Sequence, residues 1–175
     1  MAEARDGDGL DGSTPEWGMM IEDLTAATSV ELDELFMDGD CPALDELDGR
    51  YDGAVLSSPH LPVESEQAER FLNAYLSPWE GKRFDATQAP PRGNNVYAVG
   101  PLEFDGFGFD SRIMPSELDG EDSYVFDYDI EENPPPMRNV KDEIRRIADG
   151  LYLGRFYFYV GDDYRFVTYF ALQRR

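Results

Sequence analysis

The sequence predicts a mainly β protein in which antiparallel strands close into a small barrel with a few short helices. Residues 124–130 read YVFDYDI, with aromatic or apolar side chains at every second position. Residues 156–172 read FYFYV-GDD-YRFVTYFAL, which is typical of two strands joined by a hairpin turn. In residues 49–53, GRYDG, two glycines bracket a ring, which suits the closed end of a barrel or an ordinary turn before a strand.

The two C-terminal segments also predict which side chains share a face. In residues 124–130 the apolar face alternates with Asp127 and Asp129. In residues 164–172 one face is expected to carry Phe166, Thr168, Phe170 and Leu172.

The charge distribution separates an N-terminal segment from the rest. The net charge is −22, and residues 1–48 contain 15 acidic residues and one basic residue. Such a balance disfavours nucleic acids and anionic membranes as partners. It leaves open an adaptation to high salt, a solubility device or an acidic segment that binds a basic partner. We expect residues 1–27 to be a disordered acidic tail and residues 28–175 to form the barrel domain.

The cellular compartment is predicted from the cysteine count and from the apolar and N-terminal patterns of the sequence. One cysteine, Cys41, cannot form an internal disulfide framework, and no stretch has the length of a membrane span. The N-terminus does not have the pattern of a secretory signal. We therefore expect a soluble, cytoplasmic protein, and the sequence leaves open whether it forms a homodimer.

Three helices are predicted around the strands. Thr28 and Glu31 form a capping box before the segment VELDELF. Residues 66–76 carry an apolar stripe at helical spacing, including Ala68, Phe71, Leu72, Tyr75 and Leu76. Residues 139–150 suit a helix from Asn139 to Gly150, with an irregular strand as the alternative.

Several segments together resemble a known family. They are ELDELF, GRYDG, WEGKRF and a late run that includes DYD, ENP, KDEIR, GLYLG and YFALQR. The chain resembles the uncharacterised proteins in which a G-x-W-x-G motif domain precedes a C-terminal domain of unknown function. These are similar to lipocalin-type barrels, or calycins. The resemblance covers about residues 31–56, 79–84 and 118–174.

The resemblance implies a barrel closure and leaves the biochemical role open. The family's central tryptophan is Tyr51 here, between Gly49 and Gly53. An arginine near the last strand is expected to stack on this ring, with Arg174 as first candidate and Arg165 as second. A fold is transferred by such a likeness more readily than a function.

Metal, haem and nucleophilic sites are not favoured. His60 is the only histidine, so no histidine or cysteine cluster is available, and we expect no cofactor and no metal. A haem barrel with His60 as its one axial ligand is the alternative. No nucleophile elbow or phosphate-binding loop is present.

Two further hypotheses concern the barrel interior. If the face of Asp127 and Asp129 lines a cavity, crowding of these acids could support cofactor-free catalysis on an apolar substrate; the alternative is that both point to water. Otherwise, aromatic side chains line a pocket for a lipid, isoprenoid or aromatic molecule. The residues expected to line that pocket are Phe104, Phe126, Tyr128, Arg155, Phe158, Phe166, Thr168 and Phe170.

The function predicted first is therefore a cytoplasmic binding protein for a small hydrophobic ligand, without catalysis. The alternatives are the cofactor-free enzyme and an interaction module with an acidic tail.

Overall fold

A computed structural model of the protein describes residues 18–57 and 66–175, without the side chains of residues 66–69 and 72. The tail up to residue 17 and His60 lie outside the described residues, as do the side chains of Ala68 and Leu72.

Eight antiparallel strands form a closed barrel, which confirms the predicted fold class. Each strand pairs with the next along the chain, and the first pairs with the last. The strands are β1 Gly49–Val55, β2 Trp79–Asp85, β3 Arg92–Val99, β4 Leu102–Pro115, β5 Asp122–Asp127, β6 Val140–Ala148, β7 Leu151–Val160 and β8 Asp163–Arg174. The helices are α1 Ile21–Leu24, α2 Ser29–Asp38 and α3 Glu66–Leu76, and Met137–Asn139 form a 3-10 turn. Closure gives every strand a hydrogen-bonded neighbour on both sides.

The β7–β8 hairpin forms as predicted, but a β-bulge changes one of its faces. Thr168 pairs with Phe156 and Phe166 pairs with Tyr157, which makes Val167 an extra residue in β8. As a result Val167 belongs to the inner core and Phe166 packs against an apolar cluster on the outside of the barrel. The prediction that Phe166 and Thr168 share the interior face is therefore wrong for Phe166.

Residues 140–148 form strand β6, so the predicted helix in this segment is wrong. The strand pairs with β5 on one side and with β7 on the other. Val140, Asp142 and Ile144 face the barrel interior, whereas Lys141, Glu143 and Arg145 between them are buried on the outer face, which is the two-residue period of a strand. Pairing with two neighbours outweighs the local capping pattern that suggested a helix.

Helices α1 and α2 pack on the outside of the barrel. The capping box of α2 is present, because the Glu31 amide donates to Thr28 Oγ1 over 3.3 Å and the Thr28 amide donates to Glu31 Oε2 over 2.8 Å. Leu24 of α1 and Leu32 of α2 are buried in a cluster with side chains of β7 and β8. Helix α1 belongs to the folded domain, so the expected tail boundary at residue 27 lies too far along the chain.

Tyr51 fills one end of the barrel. Its ring is fully buried and makes edge-on contacts with Phe84 and Tyr152 at centroid distances of 5.2 and 5.7 Å. The guanidinium carbon of Arg174 lies 5.7 Å from the ring centroid, and its Nε and Nη2 donate to the Tyr51 hydroxyl at 3.1 and 3.0 Å. Arg174, and not Arg165, therefore holds the ring, with a cation–π contact and two hydrogen bonds.

The two glycines beside Tyr51 have separate structural reasons. Gly49 begins β1 with φ of +81°, a conformation that L side chains rarely adopt. Gly53 lies against the Trp79 ring, where an added Cβ would come within 2.4 Å of Trp79 Cη2. The motif is thus part of strand β1 rather than an ordinary turn before it.

None of the helices in the described part of the chain is long and apolar enough to span a bilayer.

Candidate functional site

A buried polar cluster lies inside the barrel. Strand β2 contributes Lys82, β3 contributes Asn95, β6 contributes Asp142, and Tyr128 follows β5. All four are fully or almost fully buried. Charged side chains are rarely buried unless they are paired, so this group is the most informative feature of the interior.

The Lys82 ammonium is the centre of the cluster. It lies 2.8 Å from Asp142 Oδ2, 2.8 Å from Asn95 Oδ1 and 2.5 Å from the Tyr128 hydroxyl. The Tyr128 hydroxyl also lies 3.0 Å from Asp142 Oδ2. The ion pair is therefore supported by neutral hydrogen-bonding groups, which reduce the cost of burying it.

Aromatic rings surround the ammonium group. The Lys82 nitrogen lies between 5.0 and 5.6 Å from the centroids of five rings, close enough for cation–π attraction. These rings belong to Trp79, Phe109, Phe126, Tyr128 and Phe170.

Burial perturbs the ionisation of the cluster. Removal from water raises the pKa of Asp142 and lowers the pKa of Lys82, and the attraction between the two groups opposes both shifts. Burial also raises the pKa of Tyr128 well above its ordinary value, so its hydroxyl stays protonated at neutral pH. Groups of this kind, gathered beside a cavity, mark candidate functional sites.

A small cavity adjoins the cluster. It has a volume of about 10 Å³ for the centre of a water molecule, which is room for about one water. Its lining is mostly apolar, with Lys82 and Asp142 among the polar members. The remaining lining residues are Val55, Tyr75, Leu76, Trp79, Phe156, Thr168 and Phe170. Within the described residues Asp142 Oδ1 is buried without a hydrogen-bond partner, whereas Oδ2 accepts bonds from Lys82 and Tyr128.

Helix α3 inserts Tyr75 into this end of the barrel. The ring stacks on Phe156 of β7. It also contacts Tyr97 of β3 and Phe107 of β4, which lie across the barrel from β7. The Tyr75 hydroxyl lies 3.4 Å from the Tyr128 hydroxyl. Tyr75 therefore occupies the space above the polar cluster, at the end opposite Tyr51.

The structure brings together some of the side chains that were expected to line a pocket. Thr168 and Phe170 line the cavity, Tyr128 is part of the polar cluster, and Phe126 contacts the Lys82 ammonium. Phe158 belongs to the inner core without lining the cavity.

Three other expected lining residues do not line the cavity. Phe104 shares the inner face with its cross-strand partner Tyr97, but it lies at the rim of the barrel, where it is 50% exposed and stacks on Tyr97. The other two lie outside the barrel, which corrects their assignment to the interior. Phe166 lies in the outer apolar cluster because of the bulge in β8. Arg155 is buried beneath α2, where it forms an ion pair with Asp33 and donates to the Tyr157 hydroxyl over 2.8 Å.

The two acids proposed for catalysis do not lie in the cavity. The Asp127 side chain is 28% exposed and lies 3.4 Å from Arg112 on the barrel surface. Asp129 is 60% exposed and lies 2.6 Å from Arg138. The expectation that they share an interior site is therefore corrected, and the interior acid is Asp142.

Lys82 and Asp142 were missed for identifiable reasons. Asp142 was assigned to a helix, whereas its alternation with Val140 and Ile144 would have placed it inside a strand barrel. Lys82 is one of only two lysines in the chain, and it lies two residues before Phe84, so both share the inward face of β2. An inward lysine and an inward aspartate on different strands are the signal that could have found the pair.

Within the described residues, no group of three or more histidine, cysteine or carboxylate side chains is arranged to hold a metal ion. His60, the alternative haem ligand, lies outside those residues.

Comparison with known proteins supports the fold and identifies no function. No protein-family model matches the chain, and no curated protein matches it. The chain is similar to a solved structure described as the crystal structure of a protein from Thermomonospora curvata, with 20% sequence identity and a TM-score of 0.57. That match covers 85% of this chain and 88% of the other. At this level of identity the likeness shows the barrel fold alone.

Proposed function

We propose that the protein is a cytoplasmic binding protein for a small hydrophobic molecule, which it takes up at the α3 end of the barrel. The observation that carries the proposal is the polar cluster, two members of which, Lys82 and Asp142, line a mostly apolar cavity. Small-molecule sites are usually apolar clefts with a few placed polar groups that orient the ligand. The wall rings of Trp79, Phe156 and Phe170 supply the apolar part.

A ligand larger than water needs more room than the cavity provides. Tyr75 fills the space between Tyr97 and Phe156, so movement of α3 would enlarge the cavity without opening the sheet. Eight-stranded barrels have an interior just wide enough for side chains or for one small ligand. Binding would then replace the Tyr75 ring by the apolar body of the ligand.

The test is titration with the neutral fluorescent probe N-phenyl-1-naphthylamine, whose emission rises in an apolar site. We expect saturable binding of one probe per chain. Val55 lines the cavity, so Val55→Trp should fill it and weaken binding by at least tenfold. Val99 is 61% exposed, so Val99→Trp adds the same ring outside the barrel and should leave binding unchanged.

Absence of saturable binding to the unmodified protein would contradict the proposal. Equal binding by the Val55→Trp and Val99→Trp proteins would contradict the location of the site. Circular dichroism of both variants must first show that the barrel is intact.

A further inference from the structure

We propose that the ligand is uncharged and donates a hydrogen bond to Asp142 Oδ1, as an alcohol or a phenol does. This inference rests on the proposed binding function and deepens it, because it states which polar end the cavity selects. The hydrogen-bond donors and acceptors of the residues around the cavity support it.

Lys82 has no donor left for a ligand. An ammonium group carries three N–H donors and no acceptor. Three acceptors lie within hydrogen-bond distance of the Lys82 nitrogen, namely Asp142 Oδ2, Asn95 Oδ1 and the Tyr128 hydroxyl. A ligand carbonyl or carboxylate would have to displace one of these partners.

Asn95 and Tyr128 are also saturated. The Asn95 amide donates to the Phe107 carbonyl oxygen over 3.1 Å and to the Tyr128 hydroxyl over 3.0 Å. Its Oδ1 accepts from Lys82 and, over 3.0 Å, from Trp79 Nε1. The Tyr128 hydroxyl accepts from Lys82 and Asn95, and it donates to Asp142 Oδ2.

The remaining donors around the cavity are likewise committed. Trp79 Nε1 donates to Asn95, and Thr168 Oγ1 lies 2.8 Å from the Ser57 carbonyl oxygen. The Tyr75 hydroxyl lies 3.4 Å from the Tyr128 hydroxyl. Asp142 lines the cavity, and among these groups its Oδ1 is the buried acceptor that has no partner in the described part of the chain. A buried carboxylate oxygen in this state is costly, and a ligand donor would remove the cost.

Charge favours a neutral donor. Lys82 and Asp142 together carry no net charge, and both are buried. A carboxylate ligand would add a negative charge beside Asp142, where Lys82, Asn95 and Trp79 have no free donor to stabilise it. An alkylammonium ligand would add a positive charge next to Lys82. Burying an uncompensated charge costs far more than burying a hydroxyl that forms a hydrogen bond.

The test compares matched ligands as competitors of the bound naphthylamine probe. The ligands are 1-octanol, its isomer 1-methoxyheptane, which has no donor, and octanoate. On the unmodified protein we expect 1-octanol to bind at least about tenfold more tightly than the ether, as for a hydrogen bond to a charged acceptor. Octanoate should bind most weakly of the three.

Asp142→Asn supplies a second and independent readout. The substitution preserves the shape of the side chain and removes its negative charge, which leaves the Lys82 ammonium without an anionic partner. Octanoate should then become the preferred ligand, and a purely structural role for Asp142 would not reverse the preference. If this variant does not fold, the comparison on the unmodified protein still decides.

The possible results are distinguishable. If the probe does not bind saturably, the proposed function fails. If the probe binds but the alcohol and the ether compete equally, or octanoate competes best, the binding function stands and the inference about Asp142 Oδ1 is overturned. Equal competition is also the result expected if that oxygen only holds a water molecule.

Discussion

The Lys82 ammonium and Asp142 Oδ2 lie 2.8 Å apart in the middle of a barrel, and neither side chain is more than 2% exposed. The two residues come from strands on different sides of the closed sheet, β2 and β6. Their pairing therefore depends on the whole barrel, and we expect the stability of the fold to be sensitive to this one contact.

Removing one member of this pair should destabilise the protein strongly. Lys82→Met leaves Asp142 as an unpaired buried carboxylate, and we expect a loss of about 3–5 kcal/mol in the free energy of unfolding. The double variant Lys82→Met/Asp142→Leu removes both charges and should recover most of that loss. Urea denaturation of the single and double variants measures both values.

An exposed ion pair provides the matched control. Arg138 and Asp129 are 44% and 60% exposed, so Arg138→Met should cost no more than about 1 kcal/mol. A similar loss of unfolding free energy for Lys82→Met and Arg138→Met would show that the buried ion pair matters no more to stability than an exposed one.

The contact between Tyr51 and Arg174 should stabilise the closed end. Tyr51→Phe keeps the ring and removes the hydroxyl that accepts both Arg174 hydrogen bonds, and we expect a loss of about 1–2 kcal/mol. Arg174→Ala should cost a similar amount. The double variant should cost less than the sum of the two, because the residues share one interaction. Thermal unfolding of the three variants would contradict this coupling if their effects were additive.

Gly154 should not tolerate a side chain. An added Cβ would lie 2.2 Å from Phe170 Cζ, and Phe170 is almost fully buried in the core. Gly154→Ala is therefore expected to lose about 1–3 kcal/mol through overpacking. At Gly106 the nearest atom would be Tyr97 Cε2 at 3.3 Å, so Gly106→Ala should cost clearly less.

Equal losses at Gly154 and Gly106 in urea denaturation would contradict the packing of Phe170 over the glycine. Gly154→Ala/Phe170→Leu should recover part of the loss, because the smaller side chain leaves space for the added methyl group.

Acid should weaken the contact between Asp119 and Arg145. Both guanidinium Nη atoms lie 2.7 Å from Asp119 carboxylate oxygens, and these hydrogen bonds lower the pKa of Asp119 below its ordinary value of 3.8. The pair therefore stabilises the fold above that pH, and the contribution disappears as the pH falls through the lowered pKa. The stability difference between the unmodified protein and Asp119→Asn should shrink as the pH falls below 3.8 in denaturation measurements. A constant difference over this range would contradict the assignment.

The fold could be predicted because many of its strands and turns follow local sequence patterns. Alternation in residues 124–130 predicted buried Tyr124 and Phe126, and the Gly-Asp-Asp turn predicted the β7–β8 hairpin. The capping box at Thr28 also depends only on neighbouring residues. The contact of Arg174 with the Tyr51 ring is implied by the family resemblance and not by the spacing of the residues.

The candidate site could not be predicted in the same way, because it depends on register between distant strands. The bulge at Val167 moves Phe166 outwards, and nothing in YRFVTYF indicates it. Asp142 faces the interior only if residues 140–148 are a strand, which is decided by pairing with β5 and β7. Tyr128, by contrast, was placed correctly inside because it continues the alternation of β5.

Native mass spectrometry of the protein purified from its own host, followed by organic extraction, is the most direct test of uptake into this barrel. We predict one uncharged, hydroxyl-bearing apolar passenger per chain, and its absence from Val55→Trp protein prepared in the same way. A mass equal to that of the bare chain would contradict ligand binding in the barrel. A passenger retained equally by Val55→Trp would contradict the site beside Lys82 and Asp142.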